Sequence, residues 1–229
     1  MNPDDQLRVI AEIVGVCDQA GMAVWLRGGW AMDFFLGEVT RPHRDVDLFC
    51  AARDADRLVT LLHARGYRDD PGPYADPPRP ELHETAISTH VPDPHQPAGS
   101  PLAPQPPGGA PSVAVPVDGA GGRRPAPEQQ RDLVSPDGVD VGIALFARDR
   151  DGCPTVAGGP YAGERWPPDL LDGPLACIEG VRCRIVSPRA QIEIKRMMPV
   201  WVPGLPRRTK DAADIARLQA ALDKGAPHA

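Results

Sequence analysis

The fold is decided by residues 24–50, which read VWLRGGWAMDFFLGEVTRPHRDVDLFC. This stretch opens with a short apolar run that ends in a glycine pair. The next residues, 30–36, are apolar most of the way round a helix, and a basic turn follows them. The stretch closes on two aspartates, Asp45 and Asp47, separated by one valine. The order of these features predicts a strand, a helix and a second strand that carries the acidic pair.

The glycine pair, Gly28 and Gly29, stands directly before the predicted helix. Glycine lets the backbone approach a ligand closely, and the first turn of a helix directs N–H groups toward an anion. The pair therefore predicts phosphate binding. The residues alone also leave open a simple tight turn.

The acidic pair lies on one face of the second predicted strand. Side chains alternate along a strand with period two, so Asp45 and Asp47 project from the same side. Two adjacent carboxylates repel each other, and a bound cation would relieve that repulsion. A solvated strand edge is the alternative. A phosphate cradle followed by a carboxylate pair favours metal-dependent chemistry on a nucleotide.

The segment GGWAMDFFLGEVTRPHRDVDL resembles the signature of the nucleotidyltransferase superfamily, which shares its core with polymerase beta. It is most similar to the branch of aminoglycoside 2''-O-adenylyltransferases and lincosamide nucleotidyltransferases. Many superfamily members have a serine after the glycine pair, whereas Trp30 stands here, as in the antibiotic-modifying branch. Weaker likeness covers residues 4–67 and 138–221. The resemblance implies an α+β fold, a small mixed twisted sheet with flanking helices.

A third acidic residue, Asp140, is the one charge in the apolar run 139–146. A lone carboxylate in an apolar strand is costly unless it is paired or bound to a metal. The resemblance implies that Asp140 joins Asp45 and Asp47 at a magnesium site, with two ions, where ATP is the substrate. There Asp140 either ligates the second ion or accepts the proton of an acceptor hydroxyl. A strand-edge position without a catalytic role remains the alternative.

Three cations are candidates for phosphate binding. Arg41 and Arg44 follow the first helix, and a guanidinium matches the geometry of phosphate oxygens. A salt bridge to Asp33 or Glu38 is the alternative for either arginine. Lys195 is one of only three lysines in the chain, in a predicted helix that runs from about 188 to 197. The resemblance implies a cation in that helix near the nucleotide.

Three other polar residues are expected to be structural. His43 lies in the basic turn and is interpreted as a structural or solvent-facing side chain. Asp211 and Asp214, in the last predicted helix, are spaced to cap it and to form pairs along it. We therefore do not expect a second metal site at these two aspartates.

The middle of the chain is low in sequence complexity. The sequence contains 29 prolines and 23 glycines among 229 residues, and many of them lie in residues 91–130. Such a composition buries too little apolar area to offset the entropy of ordering. We therefore predict one domain whose core is formed by residues 1–90 and 131–229, interrupted by a disordered Pro/Gly-rich insertion at 91–130. A strand is predicted just before it, at 81–89.

Composition excludes several classes of protein. The formal net charge is −6 and the pI is about 5.5, which argues against a general nucleic-acid-binding protein. The five cysteines are odd in number and lack C-x-x-C spacing, so we expect neither a zinc site nor a disulfide framework. An acidic N-terminus and the lack of a long apolar run predict a cytoplasmic protein without a membrane segment.

The combined expectation is Mg²⁺-dependent transfer of a nucleoside monophosphate, AMP from ATP, to a hydroxyl of a small acceptor. An aminoglycoside or a lincosamide is the acceptor class that the resemblance implies. One alternative is nucleotidylation of tRNA or of a protein. A second is a catalytically silent nucleotide-binding module.

Overall fold

The computed structural model of the chain describes residues 2–70, 128–201 and 208–225. The predicted insertion at 91–130 lies outside this part except for its last three residues. The strand predicted at 81–89 lies wholly outside it.

The first helix, α1 (Pro3–Ala20), has the bounds that its sequence predicts. The Asn2 side chain accepts a hydrogen bond from the backbone N–H of Asp4 at 3.2 Å, and proline occupies the first turn. At the other end Gly21 adopts a left-handed conformation, with φ 65°, and terminates the helix.

The other helical elements follow the predicted order. The remaining α-helices are α2 (Gly28–Leu36), α3 (Ala55–His63), α4 (Pro188–Trp201) and α5 (Thr209–Asp223). Short 3-10 helices occur at Ala52–Asp54 and Gly159–Tyr161. The strands are β1 (Val24–Leu26), β2 (Val46–Ala51), β3 (Arg68–Asp69), β4 (Gln130–Val134), β5 (Asp140–Arg148), β6 (Pro154–Val156), β7 (Leu175–Ile178) and β8 (Val181–Ile185).

The described strands form one mixed sheet in the order β3-β4-β5-β2-β1-β8-β7, and β6 pairs with β5. Strand β2 carries Asp47 and lies in the interior of the sheet. It is parallel to β5 and antiparallel to β1. Asp45 was predicted on the same strand, but it lies in the bend directly before β2. The helices flank the sheet, so the predicted α+β architecture with a small mixed sheet is confirmed.

Several element boundaries differ from the sequence-based expectation. Helix α2 begins at Gly28, two residues earlier than predicted, and the single helix expected over 52–65 is divided into a 3-10 turn and α3. Strand β4 was not predicted. Its residues, QRDLV, are mostly polar, and the segment is a strand because its backbone pairs with β5.

Two apolar clusters fix the helices. The larger one fills the space between the sheet and its flanking helices, and a smaller one consists of Met32, Ile192 and Leu218. These three side chains come from α2, α4 and α5, so the glycine-led helix is held against both C-terminal helices. None of the described helices combines the length and the apolar character needed to cross a bilayer.

Candidate active site

One cavity brings together the glycine pair, the acidic pair and the C-terminal helices. All five residues predicted to bind the nucleotide line it: Gly28, Gly29, Arg41, Arg44 and Lys195. Asp45 and Asp47 line it as well. Six basic side chains in total surround the cavity, since Arg27, Arg208 and Lys210 join the three predicted ones.

The sheet places two of the three predicted catalytic aspartates, Asp47 and Asp140, on one face. Asp47 on β2 pairs with Gly142 on β5, and the strands are parallel. Asp140 precedes Gly142 by two residues in β5, so it projects from the same face as Asp47, on strands about 4.8 Å apart. Asp45 lies in the bend directly before β2, and the first pair of the register, Val46 with Val141, follows it. Asp45 and Asp47 line the cavity.

A fourth carboxylate, Asp132, shares this face. Asp132 on β4 pairs with Gly142 from the side opposite Asp47. A side chain at position 142 would stand between them, since an added Cβ would lie 3.0 Å from Asp47 Oδ1 and 3.9 Å from Asp132 Oδ1. Sequence reasoning missed Asp132 because β4 was not predicted. The available signal was Gly142, since a glycine inside an apolar strand often marks a site where another group comes close to the backbone.

The donor set suits magnesium. Within residues 2–70, 128–201 and 208–225, no three His, Cys, Asp or Glu side chains form a ready-made metal cluster. Magnesium usually needs no such cage, because one or two carboxylates bind it together with substrate phosphates and water. Asp45 and Asp47 offer hard oxygen ligands to a cavity with room for the phosphates. These residues therefore fit a magnesium ion that a nucleotide brings with it.

The glycine pair makes close contacts that its sequence did not suggest. Gly28 has φ 67°, and a Cβ there would lie 2.9 Å from Asp47 Oδ2. A Cβ on Gly29 would lie 2.3 Å from His43 Nδ1. Both glycines are thus required by neighbouring side chains as well as by the tight strand-to-helix turn. Phosphate binding by their N–H groups stays a prediction.

The basic turn is organised by a buried aspartate on α2. Asp33 accepts hydrogen bonds from the backbone N–H of Thr40 at 3.0 Å and from its hydroxyl at 2.6 Å. His43 Nε2 lies 2.6 Å from the same carboxylate. Because both His43 and Asp33 are buried, the histidine is part of the scaffold, which agrees with the structural role expected for it.

Arg41 pairs with neither of the partners considered for it. Its guanidinium lies 3.1 Å from Asp214 on α5 rather than against Asp33 or Glu38. Lys195 on α4 lies 2.9 Å from the same carboxylate and 3.4 Å from Asp211. Arg41 therefore forms a salt bridge, as the alternative interpretation predicted, but its partner is Asp214 and not Asp33 or Glu38.

The last helix supplies the acidic partners of these cations. Arg208 forms the expected local pair with Asp211, at 2.7 Å. Asp214 differs from the expectation, since its shortest pairs are with Arg41 and Lys195 on other elements. We name Arg41, Lys195, Arg208, Asp211 and Asp214 the ion-pair network.

The network keeps Asp214 ionised although its side chain is only 1% exposed. Burial on its own would raise the pKa of this carboxyl. The Lys195 ammonium and the Arg41 guanidinium outweigh that effect and hold the pKa below its ordinary value. The buried charge therefore fixes two cations at the cavity wall.

Comparisons with known proteins agree with the signature. Residues 9–90 match the family model of aminoglycoside-2''-adenylyltransferase. A 2''-aminoglycoside nucleotidyltransferase of Klebsiella pneumoniae is 35% identical over 63 residues, which are 28% of this chain and 36% of that protein. A lincosamide resistance protein of Staphylococcus haemolyticus is 30% identical over 56 residues, 24% of this chain and 35% of that protein. The match thus spans about a third of the length of these curated relatives.

Solved structures extend the likeness to the whole fold. The crystal structure of ANT(2'')-Ia in complex with adenylyl-2''-tobramycin superposes with a TM-score of 0.56 at 17% identity, covering 95% of this chain and 90% of that one. The lincomycin-bound lincosamide adenylyltransferase LnuA gives a TM-score of 0.55 at 16% identity, covering 91% and 93%. The chain therefore has the nucleotidyltransferase fold, and its residues 9–90 match the aminoglycoside-2''-adenylyltransferase family, as the signature predicted.

Proposed function

We propose that the chain catalyses Mg²⁺-dependent transfer of AMP from ATP to a hydroxyl group of an aminoglycoside- or lincosamide-type antibiotic. The observation that carries this proposal is one cavity in which the carboxylates of Asp45 and Asp47 face six basic side chains. Carboxylates alone would repel a triphosphate. A cavity that also contains these basic side chains suits a nucleotide bound together with a divalent ion.

Four of the six basic side chains illustrate two kinds of cation, one anchored by a salt bridge and one exposed to solvent. Arg41 and Lys195 are held by Asp214, at 3.1 Å and 2.9 Å. Arg44 and Lys210 are exposed side chains that also line the cavity. Anchored cations bind phosphate without losing much side-chain entropy, whereas exposed ones add longer-range attraction. Together they offset the negative charge of the triphosphate.

Asp45 and Asp47 would hold the magnesium ion, which supplies charge neutralisation at the phosphates when bound. The acceptor oxygen then attacks the α-phosphorus, and the bond from that phosphorus to the oxygen bridging toward the β-phosphorus breaks. AMP is thereby joined to the acceptor, and pyrophosphate leaves with the electron pair of the broken bond. The cavity's basic side chains stabilise the charge on the departing pyrophosphate.

Asp140 completes the site in one of two ways. Its position at the start of β5, on the face of the sheet that Asp47 shares, suits a general base that takes the proton of the acceptor hydroxyl. The same position suits a ligand of a second ion. The Asp140→Asn variant separates these roles, because loss of a base lowers turnover and leaves Mg²⁺-dependent binding of ATP unchanged.

Two observations indicate the class of acceptor. Relatives of the matched segment are named a 2''-aminoglycoside nucleotidyltransferase and a lincosamide resistance protein. The net charge of −6 and the carboxylates of Asp132 and Asp140 on the sheet face favour a cationic acceptor. Both observations point to an antibiotic that carries amino groups.

The proposal is tested with ATP labelled at the α-phosphate, Mg²⁺, and separate panels of aminoglycosides, lincosamides and bulk tRNA. We expect the label on an antibiotic and one pyrophosphate released per transfer. Label on tRNA or on protein would support the macromolecular alternative instead. The silent module would be the better account if no acceptor gives pyrophosphate and ATP binding does not depend on Mg²⁺.

We place the reaction in the cytoplasm. All five cysteines are free. Burial raises the pKa of Cys17, Cys50 and Cys183 to about 12, so these thiols stay protonated at neutral pH. Unpaired, unreactive thiols are typical of proteins in a reducing compartment.

A further inference from the structure

We propose that His43 is a positioning residue for Arg41: Asp33 fixes the histidine as a hydrogen-bond acceptor, and the histidine holds the guanidinium in one orientation at the cavity wall. The inference rests on the proposed function, because it concerns how this arginine meets the phosphates of ATP. It gives a buried histidine a part in nucleotide binding that is exerted through another side chain.

The two neighbours of the His43 ring determine which nitrogen carries the proton. Nδ1 lies 3.2 Å from Nη1 of Arg41, and a guanidinium nitrogen can only donate. Nδ1 is therefore the acceptor, and the ring proton lies on Nε2. From there it is donated to the Asp33 carboxylate, 2.6 Å away. Both contacts thus require the same tautomer.

The ring is held in place by buried contacts. The His43 side chain is only 4% exposed, and Trp30 packs against it with ring centroids 4.7 Å apart. A Cβ on Gly29 would overlap Nδ1, so this nitrogen lies directly against the first turn of α2. The backbone is fixed as well, because the His43 carbonyl accepts from the Gln6 amide at 3.2 Å. The acceptor therefore has one position relative to the start of α2.

Arg41 uses most of its donors to keep its own position. A guanidinium carries five N–H groups in a rigid fork. Nε and Nη2 donate to the two carboxylate oxygens of Asp214, at 3.4 and 3.1 Å. Nη1 donates to the Pro42 carbonyl at 3.3 Å and to Nδ1 of His43 at 3.2 Å. Among the described residues these bonds leave one N–H, on Nη2, and this nitrogen lies 3.0 Å from where a Cβ on Gly29 would be.

Asp214 and His43 hold different parts of the guanidinium. Two bonds to one carboxylate fix one edge of the fork and still allow the plane to tilt about that edge. The bonds at Nη1 prevent the tilt, so the remaining N–H keeps one direction beside the first turn of α2, where phosphate is predicted to bind. The Pro42 carbonyl shares this role, but only the His43 contact can be removed by changing a side chain.

Two substitutions separate the contacts of His43. An asparagine at position 43 can place its oxygen near the position of Nδ1 and is too short to reach Asp33. A glutamine can place its amide nitrogen near the position of Nε2 and has no acceptor at that of Nδ1. We expect His43→Gln to weaken equilibrium binding of Mg²⁺-ATP about 10-fold, and His43→Asn to stay within about threefold of wild type.

Denaturant unfolding of the two variants should give the opposite order, because only His43→Gln keeps the bond to the buried Asp33 carboxylate. If His43 were scaffold alone, ATP affinity would follow stability. Equal affinity of the two variants, or tighter binding by His43→Gln, would therefore overturn the inference. His63→Gln is the matched control, since His63 pairs with Asp69 at 3.2 Å outside the cavity lining and should keep wild-type affinity.

A double-mutant cycle shows whether His43 acts through Arg41. Arg41→Met removes every donor of the guanidinium. In that background the further change His43→Gln should alter ATP affinity by less than about twofold, because the contact that it removes is already lost. A further loss as large as that of His43→Gln alone would overturn the inference.

A spectroscopic test needs neither a folded variant nor a nucleotide. In NMR spectra of protein labelled with ¹⁵N-histidine, we expect the ring proton of His43 on Nε2 at neutral pH and none on Nδ1. A proton on Nδ1 would overturn the inference. Failure of the wild type to bind any Mg²⁺-nucleotide would instead contradict the proposed function itself, whichever nitrogen carries the proton.

Discussion

The two walls of the cavity are built in different ways. The acidic wall comes from one continuous stretch, residues 24–50, in which a tight turn and a strand place Gly28 beside Asp47. This stretch also contributes Arg27, Arg41 and Arg44 to the lining. The basic wall is formed by α4, α5 and the residue before α5, which contribute Lys195, Lys210 and Arg208, and its lysine on α4 pairs with a carboxylate on α5. The residues of the acidic wall are neighbours in the sequence, whereas those of the basic wall come together only when separate helices pack against each other.

The walls meet at a single buried carboxylate. Asp214 on α5 pairs with Lys195 on α4 and with Arg41 from the acidic stretch. The acidic wall supplies the predicted reacting centre, and the ion-pair network joins it to the basic wall. Variants on each wall should therefore fail in different ways.

The largest effect is expected on the acidic wall. Asp47→Asn should lower nucleotide transfer by about 10³-fold, because it removes a charge at the reacting centre. Pyrophosphate release measures the loss. Thermal unfolding should change little, and the exposed Asp172→Asn serves as the matched control. Retained turnover in Asp47→Asn would refute the metal assignment.

The next largest effect is expected at the junction of the walls. Asp214→Asn removes the buried charge that Arg41 and Lys195 share, and we expect the free energy of unfolding to fall by about 3 kcal/mol. Denaturant unfolding measures this loss. A change within 0.5 kcal/mol, roughly the size of a neutral surface substitution, would show that the network does not join the walls.

The same variant gives a pH test. The pKa of Asp214 is depressed in the folded chain, so its ionisation stabilises the fold above the unfolded-state value of about 3.9. That contribution is lost as the pH falls through the lower, folded-state pKa. The stability difference between wild type and Asp214→Asn should therefore be constant near neutrality and shrink below about pH 4. A difference that grows on acidification would contradict the assigned shift.

A smaller effect is expected where Gly29 packs against His43 within the acidic wall. Gly29→Ala would bring a methyl group to 2.3 Å from His43 Nδ1, and that buried ring is held by Asp33. We expect a loss of about 2 kcal/mol in unfolding free energy. Gly15→Ala in α1 meets no atom within 4 Å and should gain up to about 1 kcal/mol. If both substitutions changed the free energy of unfolding equally, the contact between Gly29 and His43 would not explain the loss.

The smallest effect is expected at an exposed cation of the basic wall. Lys210→Ala should weaken ATP binding by about fivefold at low ionic strength, and the effect should fade as salt is added. Lys224→Ala, which removes an exposed lysine outside the cavity lining, should leave binding unchanged. Equal losses in the two variants would mean that Lys210 contributes only to the overall charge.

The same division explains how much could be predicted from the sequence. Asp45, Asp47 and the glycine pair could be predicted to form one site because they lie in one short stretch, and Asp140 could be added because a charge in an apolar strand stands out. Asp132 could not be identified, since its strand β4 is polar and owes its pairing to β5.

The carboxylate that pairs with Arg41 and Lys195 could not be predicted from the sequence either. Arg41 and Asp214 lie far apart in the chain, and no periodicity connects them. The fold class could be predicted from the signature. The ion pairs of the basic wall could not, because they form between elements that meet only in the folded chain.

The most direct test of the central claim is a crystal structure of the chain with Mg²⁺ and a non-hydrolysable ATP analogue. The proposed function predicts an ion held by Asp45, Asp47 and phosphate oxygens, with the phosphates among the basic side chains. A nucleotide bound outside this cavity, or phosphates that reach the cavity with no ion at Asp45 and Asp47, would contradict it.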